Sequence, residues 1–172
     1  MSEVRAALGL GANLGDPQAT LRAAVAELAA SPGVALVAVS PLVETDPVGG
    51  PVGQPAYLNA VVVVVTTLDP PALLALAHRV EAAHGRRREV RYGPRTLDVD
   101  VLAVEGVTSE DPVLTLPHPR AAQRAFVLVP WAMVDPAFVL PGLGSVAELA
   151  GAVGSAGVRL RPDLAPLSGE GA

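Results

Sequence analysis

Two carboxylates two residues apart, Asp98 and Asp100, are the first side chains in this sequence whose type and spacing could do chemistry. On a strand both project from one face, with Cα atoms roughly 7 Å apart, while Leu97, Val99 and Val101 turn toward a core. Two adjacent carboxylates repel, and one is held protonated unless a cation lies between them. Hard oxygen donors without neighbouring histidine or cysteine favour magnesium, with water and substrate phosphates completing the shell. A lone Asp-x-Asp is more often an ordinary solvated strand face, so the flanking residues carry weight.

Those residues are Arg86-Arg87-Arg88-Glu89-Val90-Arg91-Tyr92-Gly93-Pro94-Arg95. The chain has no lysine, and five of its twelve arginines lie between Arg86 and Arg95. A codon bias toward Ala, Val, Pro, Gly and Arg explains the missing lysines but not the clustering. The planar guanidinium fork suits phosphate oxygens. Gly93-Pro94 fixes a turn that aims Arg95 at the strand mouth, and Tyr92 offers a flat face beside the cations. Acids and cations side by side make sense around a polyphosphate. A charged loop neutralising an acidic surface and a basic patch for RNA remain as alternatives. The turn Gly9-Leu10-Gly11-Ala12-Asn13-Leu14-Gly15 lacks the lysine of a P-loop and misses the dinucleotide glycine spacing, so phosphate binding falls to arginines and metal.

The elements that must position these groups follow from periodicity and turn chemistry. Val4 to Gly11 reads as a strand running into the small-residue turn. Asp16-Pro17 supplies an N-cap and a proline at the first helical position; Leu21, Val25 and Leu28 recur at helical spacing until Ser31-Pro32-Gly33. Val34 to Val43 is a strand, and Glu44 to Ala56, with three prolines and three glycines, a long loop of the kind that often serves function. Tyr57 to Thr67 is a valine-rich strand, buried on both faces at its centre. Asp69-Pro70-Pro71 repeats the helix start, with Leu73, Leu76, Ala77 and Val80 as the apolar stripe and Gly85 as C-cap. Thr96 to Glu105 is the next strand. Two strand–helix–strand halves predict an α+β, ferredoxin-like βαββαβ sandwich, with helices on one face of a mainly antiparallel sheet. C-terminal additions follow: helix over 121–133 despite Pro130, a short helix over 146–153, and a flexible tail. The expected organisation is one domain over 1–153 with the tail over 154–172.

Bulk properties narrow the class. With 172 residues and 51% hydrophobic content, the chain can bury one real core. The strongest apolar run, residues 60–65, is too short to cross a bilayer, and no signal-like segment opens the chain. A cytoplasmic protein is expected. Without cysteine, disulfides and thiolate metal sites are excluded. A net charge of −5 argues against a general nucleic-acid binder, and with no coiled-coil pattern the chain reads as a monomer.

The stretch Arg91-Tyr92-Gly93-Pro94-Arg95-Thr96-Leu97-Asp98-Val99-Asp100 resembles the signature of the 6-hydroxymethyl-7,8-dihydropterin pyrophosphokinases of folate synthesis. The resemblance runs from Leu8 to about Gly144. It includes Gly11-Ala12-Asn13-Leu14-Gly15, Glu44-Thr45-Asp46-Pro47-Val48-Gly49, Gln54-Pro55-Ala56-Tyr57-Leu58-Asn59-Ala60 and Leu116-Pro117-His118-Pro119-Arg120 in order. It implies a ferredoxin-like core and transfer of pyrophosphate from ATP to the pterin hydroxymethyl oxygen. Asp98 and Asp100 match the acids that hold two magnesium ions, and Arg86, Arg88 and Arg95 match arginines that contact or close over the triphosphate. His78, Glu81, Tyr92, Val101, Thr115, His118 and Arg124 are implied on the ATP side. Tyr57 and Phe126 match the rings that sandwich the pterin, Asn59 the amide that reads its edge, and Thr45 and Val48 the loop beside it. Departures are His78 in place of a glutamine, Tyr92 in place of a tryptophan, an arginine loop one residue shorter and a pterin loop one residue longer. A non-catalytic small-molecule-binding regulatory domain of the same fold, and an RNA-binding module, are the rival readings.

Overall fold

The computed structural model describes residues 2–46, 53–84 and 96–167. The first half begins with strand β1 (Val4–Ala12), helix α1 (Pro17–Ala30), strands β2 (Val34–Val39) and β3 (Val43–Thr45). Strand β4 (Tyr57–Thr66), helix α2 (Pro70–Ala83) and strand β5 (Asp98–Val104) complete the second half. Both helices start as the sequence predicts. The Asp16 carboxylate accepts from the Ala19 N–H at 3.1 Å and that of Asp69 from the Ala72 N–H at 2.9 Å, each with proline opening the first turn.

The strands pair β3–β4–β1–β5, with β2 also on β4, every pair antiparallel. That is the ferredoxin-like order. β2 and β3 are the single strand read over 34–43, interrupted at Ser40-Pro41-Leu42. At the break the Ser40 hydroxyl accepts the Val61 N–H at 2.8 Å while the Ser40 N–H donates to the Val61 carbonyl at 2.9 Å, so β4 keeps its bonds across the bend. β3 also extends into the segment read as loop.

One face of the sheet buries Ala6, Leu8, Leu10, Val62, Val64, Val99 and Val101 against Leu21, Val25 and Leu28 of α1 and Leu73, Leu76 and Val80 of α2. Each such leucine or valine contributes about 1.5–3 kcal/mol by leaving water. The C-terminal additions cover part of the other face. Among them the hairpin of β6 (Ser109–Asp111) and β7 (Leu114–Leu116) instead packs Leu114 and Leu116 on the helix-side core, while a 3-10 turn (Ala121–Gln123) and helix α3 (Ala125–Val134) lie on the other face. The short pair β8 (Val139–Leu140) and β9 (Gly144–Ser145) and helix α4 (Val146–Val153) follow. Here Ala7, Val61, Val63, Leu102 and Ala103 meet Leu128, Trp131 and Phe138, the two rings tilted with centroids 5.3 Å apart. Ser145 and Glu148 form a reciprocal capping box that starts α4.

The tail expected from residue 154 does not begin there. Strand β10 (Arg159–Leu160) pairs with β3, and Leu167 is fully buried in the helix-side core. The apolar anchors Leu164 and Leu167 and backbone pairing to a strand edge hold this stretch, so a Gly/Pro-rich composition misjudged it. Residues 168–172 lie outside the described residues. No described helix is long and apolar enough to cross a membrane.

Candidate active site

Asp98 and Asp100 open β5, which forms one edge of the sheet. Their pleat is the one foreseen: Leu97, Val99 and Val101 are buried in the helix-side core, Asp98 is half-buried and Asp100 exposed. Across β1 the acids face glycines, with Asp98 opposite Gly11 and Asp100 opposite Gly9. Gly11 is in turn opposite Asn59 of β4. Asp98, Gly11 and Asn59 therefore form one row across three strands on one face, with the outer two about 10 Å apart. The missing side chain at Gly11 matters physically. A Cβ built there would lie 2.8 Å from Asn59 Oδ1, closer than side chains tolerate. Both glycines lie within β1, inside the strand read over 4–11, and their missing side chains leave room between the acids and the amide.

The edge of β5 is satisfied from an unexpected direction. The Val99 N–H, between the two acids, donates to Glu81 Oε2 at 2.8 Å. Glu81 sits on the inner side of α2 and is 5% exposed. A carboxylate there replaces the missing neighbouring strand and fixes the backbone that carries both acids. Glu81 alone reads as a solvated helix acid, and that is not where it lies. The link joins residues 18 apart through tertiary packing, which no local pattern signals.

Around that edge is a cavity of about 270 Å³. His78, Glu81, Val101, Thr115 and His118, five positions implied on the ATP side, line it together with Asp100. Leu74, Pro112 and Leu114 give it apolar walls. A larger groove of about 660 Å³ lies between α1 and α2 but touches none of the implied site residues, so size does not locate the chemistry. His118 follows the cis Leu116–Pro117 bond, and its N–H donates to the Leu102 carbonyl at 2.7 Å. Its Nδ1 accepts the Arg120 N–H at 3.2 Å, which leaves the proton of the neutral ring on Nε2. Burial lowers the His118 pKa below the usual 6.5, and the cations Arg124 and Arg120 lower it further against the opposing pull of Asp100.

On the other side of the row, Asn59 is buried and its Nδ2 donates to Thr45 Oγ1 at 3.1 Å. Tyr57, half-buried, is paired with Thr45 across β3 and β4. Arg124 lies over the Phe126 ring, 5.5 Å from its centroid, at the start of α3. Buried Asn13 donates to the Pro55 carbonyl at 3.0 Å and ties the end of β1 to the segment entering β4. Gly9, Gly11 and Asn13 are the residues that site reasoning from sequence passes over, although all three stand in the glycine-rich stretch. Val48, Arg86, Arg88, Tyr92 and Arg95 lie outside the described residues.

The donor set suits a hard cation. Among the described residues no group of three or more His, Cys, Asp and Glu comes together as a metal cage; an ion held by Asp98 and Asp100 would need water and phosphate to complete its shell. The sequence profile of the 7,8-dihydro-6-hydroxymethylpterin-pyrophosphokinase (HPPK) family matches residues 7–136. The chain belongs to this family. An HPPK relative from Methylorubrum extorquens, 2-amino-4-hydroxy-6-hydroxymethyldihydropteridine pyrophosphokinase, is 49% identical over 138 residues, covering 80% of this chain and 87% of that protein. The protein of the same name from Pseudomonas aeruginosa is 39% identical, covering 92% of this chain and 97% of its own length. A solved Plasmodium falciparum HPPK-DHPS structure superimposes with a TM-score of 0.66 at 14% identity, over 88% of this chain. This chain spans 43% of that longer one, and the likeness establishes the fold.

Proposed function

We propose that this HPPK-family chain transfers pyrophosphate from ATP to 6-hydroxymethyl-7,8-dihydropterin, a step of folate biosynthesis. The hydroxymethyl oxygen attacks the β-phosphorus, the bond from that phosphorus to the α–β bridging oxygen breaks, and AMP leaves. The alcohol proton is lost, and the pterin diphosphate remains. The observation that carries this reading is the row Asp98–Gly11–Asn59, which sets a metal-competent acid and a heterocycle-competent amide on one face of the sheet with only a glycine between them.

Asp98 and Asp100 hold two magnesium ions in this reading. When bound, magnesium neutralises charge on the phosphate oxygens and orients them for in-line displacement. The chain's own groups do the rest. The β5-edge cavity takes the adenosine, its apolar walls against the base, with His78, Val101 and Thr115 around it. His118, neutral and with Nδ1 already accepting, offers Nε2–H to a phosphate oxygen, so it serves as a donor and not as the base. Arg124 adds positive charge on the same side, and Arg86, Arg88 and Arg95 are assigned to the triphosphate, with Tyr92 on the ATP side. Asn59, carrying both donor and acceptor, reads the pterin edge. Tyr57 and Phe126 stack on its faces, with Thr45 and Val48 beside it. The acidic net charge and small-molecule-sized cavity support small substrates over nucleic acid. We read the chain as a cytoplasmic monomer.

Incubation with ATP, magnesium and hydroxymethyldihydropterin should produce AMP and pterin diphosphate in equal amounts, with no AMP when either pterin or metal is withheld. AMP formation independent of pterin would overturn the assignment, and so would stable pterin binding without turnover, as a regulatory domain would show.

A further inference from the structure

The C-terminal segment makes contacts that its composition does not foretell, and they converge on β3. This strand has three residues, which alone makes a weak edge. β10 covers it: Arg159 is opposite Glu44, Leu160 is opposite Val43, and the Arg161 N–H donates to the Leu42 carbonyl at 3.1 Å. Side chains repeat the connection. Arg159 reaches Glu44 Oε1 through Nε at 3.0 Å, and through its two terminal nitrogens reaches both Asp46 oxygens, at 3.0 and 3.4 Å. Arg161 bonds the second Glu44 oxygen at 2.7 Å and grips Asp163 at 2.8 and 2.9 Å. The segment is then fastened to α1, where Gln18 and Arg22 donate to the Ala165 and Pro166 carbonyls, and Leu167 is buried.

Alternation gives this arrangement its consequence. Glu44 and Asp46 flank Thr45 and project to the side opposite it. Left alone, the two carboxylates repel and the short strand can roll about its axis. Arg159 clamps both acids on one side, which fixes the side on which Thr45 meets Asn59. We propose that Arg159 is a positioning residue for pterin binding, acting through Glu44 and Asp46 to hold the Thr45–Asn59 pair in register. The inference rests on the pterin reading of Asn59. It extends the functional unit from 153 to at least Leu167 and gives the C-terminal segment a part in substrate selection.

Truncation before β10 would uncover the core and test only folding, so point variants are needed. Arg159→Ala should raise the Kd and KM for hydroxymethyldihydropterin about three- to tenfold, as expected for a charged network of partly exposed groups. The KM for ATP, kcat and Tm should stay near wild type. Arg159→Lys should recover part of the pterin affinity, and the charge exchange Arg159→Asp with Asp46→Arg more of it than either single change. Unchanged pterin affinity in Arg159→Ala, or equal losses for ATP and pterin, would overturn the proposal. Wild-type protein that binds no pterin in the same titration would instead overturn the function on which it rests.

Discussion

The two faces of the central sheet are built from the same residues taken alternately, yet they have opposite characters. On the helix side, Leu10, Val99 and Val101 are sealed under α1 and α2. One position along, Gly11, Asp98 and Asp100 face the other way, the side on which Ala7, Val61 and Leu102 meet α3, and there Gly11 is buried, Asp98 half-buried and Asp100 exposed. Rigidity and reactivity thus come from adjacent residues of one strand. The packed face makes the other face stiff, and the edge position of β5 leaves its acids accessible.

The sharpest way to break that contrast is to substitute on each face in turn. Asp98→Ala should lower magnesium-dependent turnover on the order of a thousandfold, since metal charge stabilisation is worth several kcal/mol, while thermal melting barely moves. Leu10→Ala, on the buried face next to Gly11, should do the reverse. It should cost about 2–5 kcal/mol in chemical denaturation and leave KM for both substrates close to wild type at temperatures where the protein stays folded.

Gly11→Ala sharpens the contrast further, because it adds one methyl group to the acid-bearing face. The new Cβ meets Asn59 Oδ1, so the amide must turn and its bond to Thr45 is strained. Pterin affinity should fall about tenfold or more, in line with about 1–3 kcal/mol for overpacking a tight site, as read by calorimetric titration. Glu81 joins the two faces. Glu81→Ala leaves the Val99 N–H without its carboxylate acceptor and should cost about 1–3 kcal/mol of stability. Glu81→Gln, whose amide oxygen can still accept that bond, should recover most of it and much of the metal affinity.

The smallest effect expected is the pH response of His118. Its folded pKa lies below the ordinary 6.5, so below pH 6.5 the unfolded chain takes up the proton first and stability falls with pH. The loss stops growing once the pH passes below the folded pKa. A His118→Gln variant should lack this component when Tm is followed between pH 7.5 and 5.

Much of the scaffold is legible in the sequence because its signals are local. Asp16-Pro17 and Asp69-Pro70 announce the helix starts, and the valine runs and alternating 97–101 stretch announce strands and their buried faces. The metal-competent pair is legible for the same reason, since a period of two fixes its common face. What escaped depends on distance in sequence or on an absent atom. β10 is two residues long in a Gly/Pro-rich stretch, and its identity comes from the edge it meets. Each strand of the β6–β7 hairpin beside the β5-edge cavity has three residues, too few to show a period. Glu81 acquires its partner only when α2 packs on β5. Gly11 acts through the side chain it lacks, which acquires meaning only once Asn59 stands opposite.

One irregularity in β5 sets the phase of the whole site. Ala7 pairs with Ala103, but the next residue, Leu8, pairs with Val101, so Leu102 is an extra residue in the ladder. Because of it, Leu102 and Ala103 both enter the core beneath α3, although strict alternation would have sent one of them away. The strand thereby satisfies two incompatible rhythms, one for the core near its end and one for the acids at its start. Straightening the strand with Leu102 kept would force a choice between them: either the core keeps its contacts and Asp98 and Asp100 rotate under α2, or the acids stay outside and Val104 leaves the interior. Deleting Leu102 would avoid that choice, leaving the acids in place and costing the core beneath α3 one leucine. The bulge acts as a half-step inserted so that both ends of the strand arrive on the correct beat.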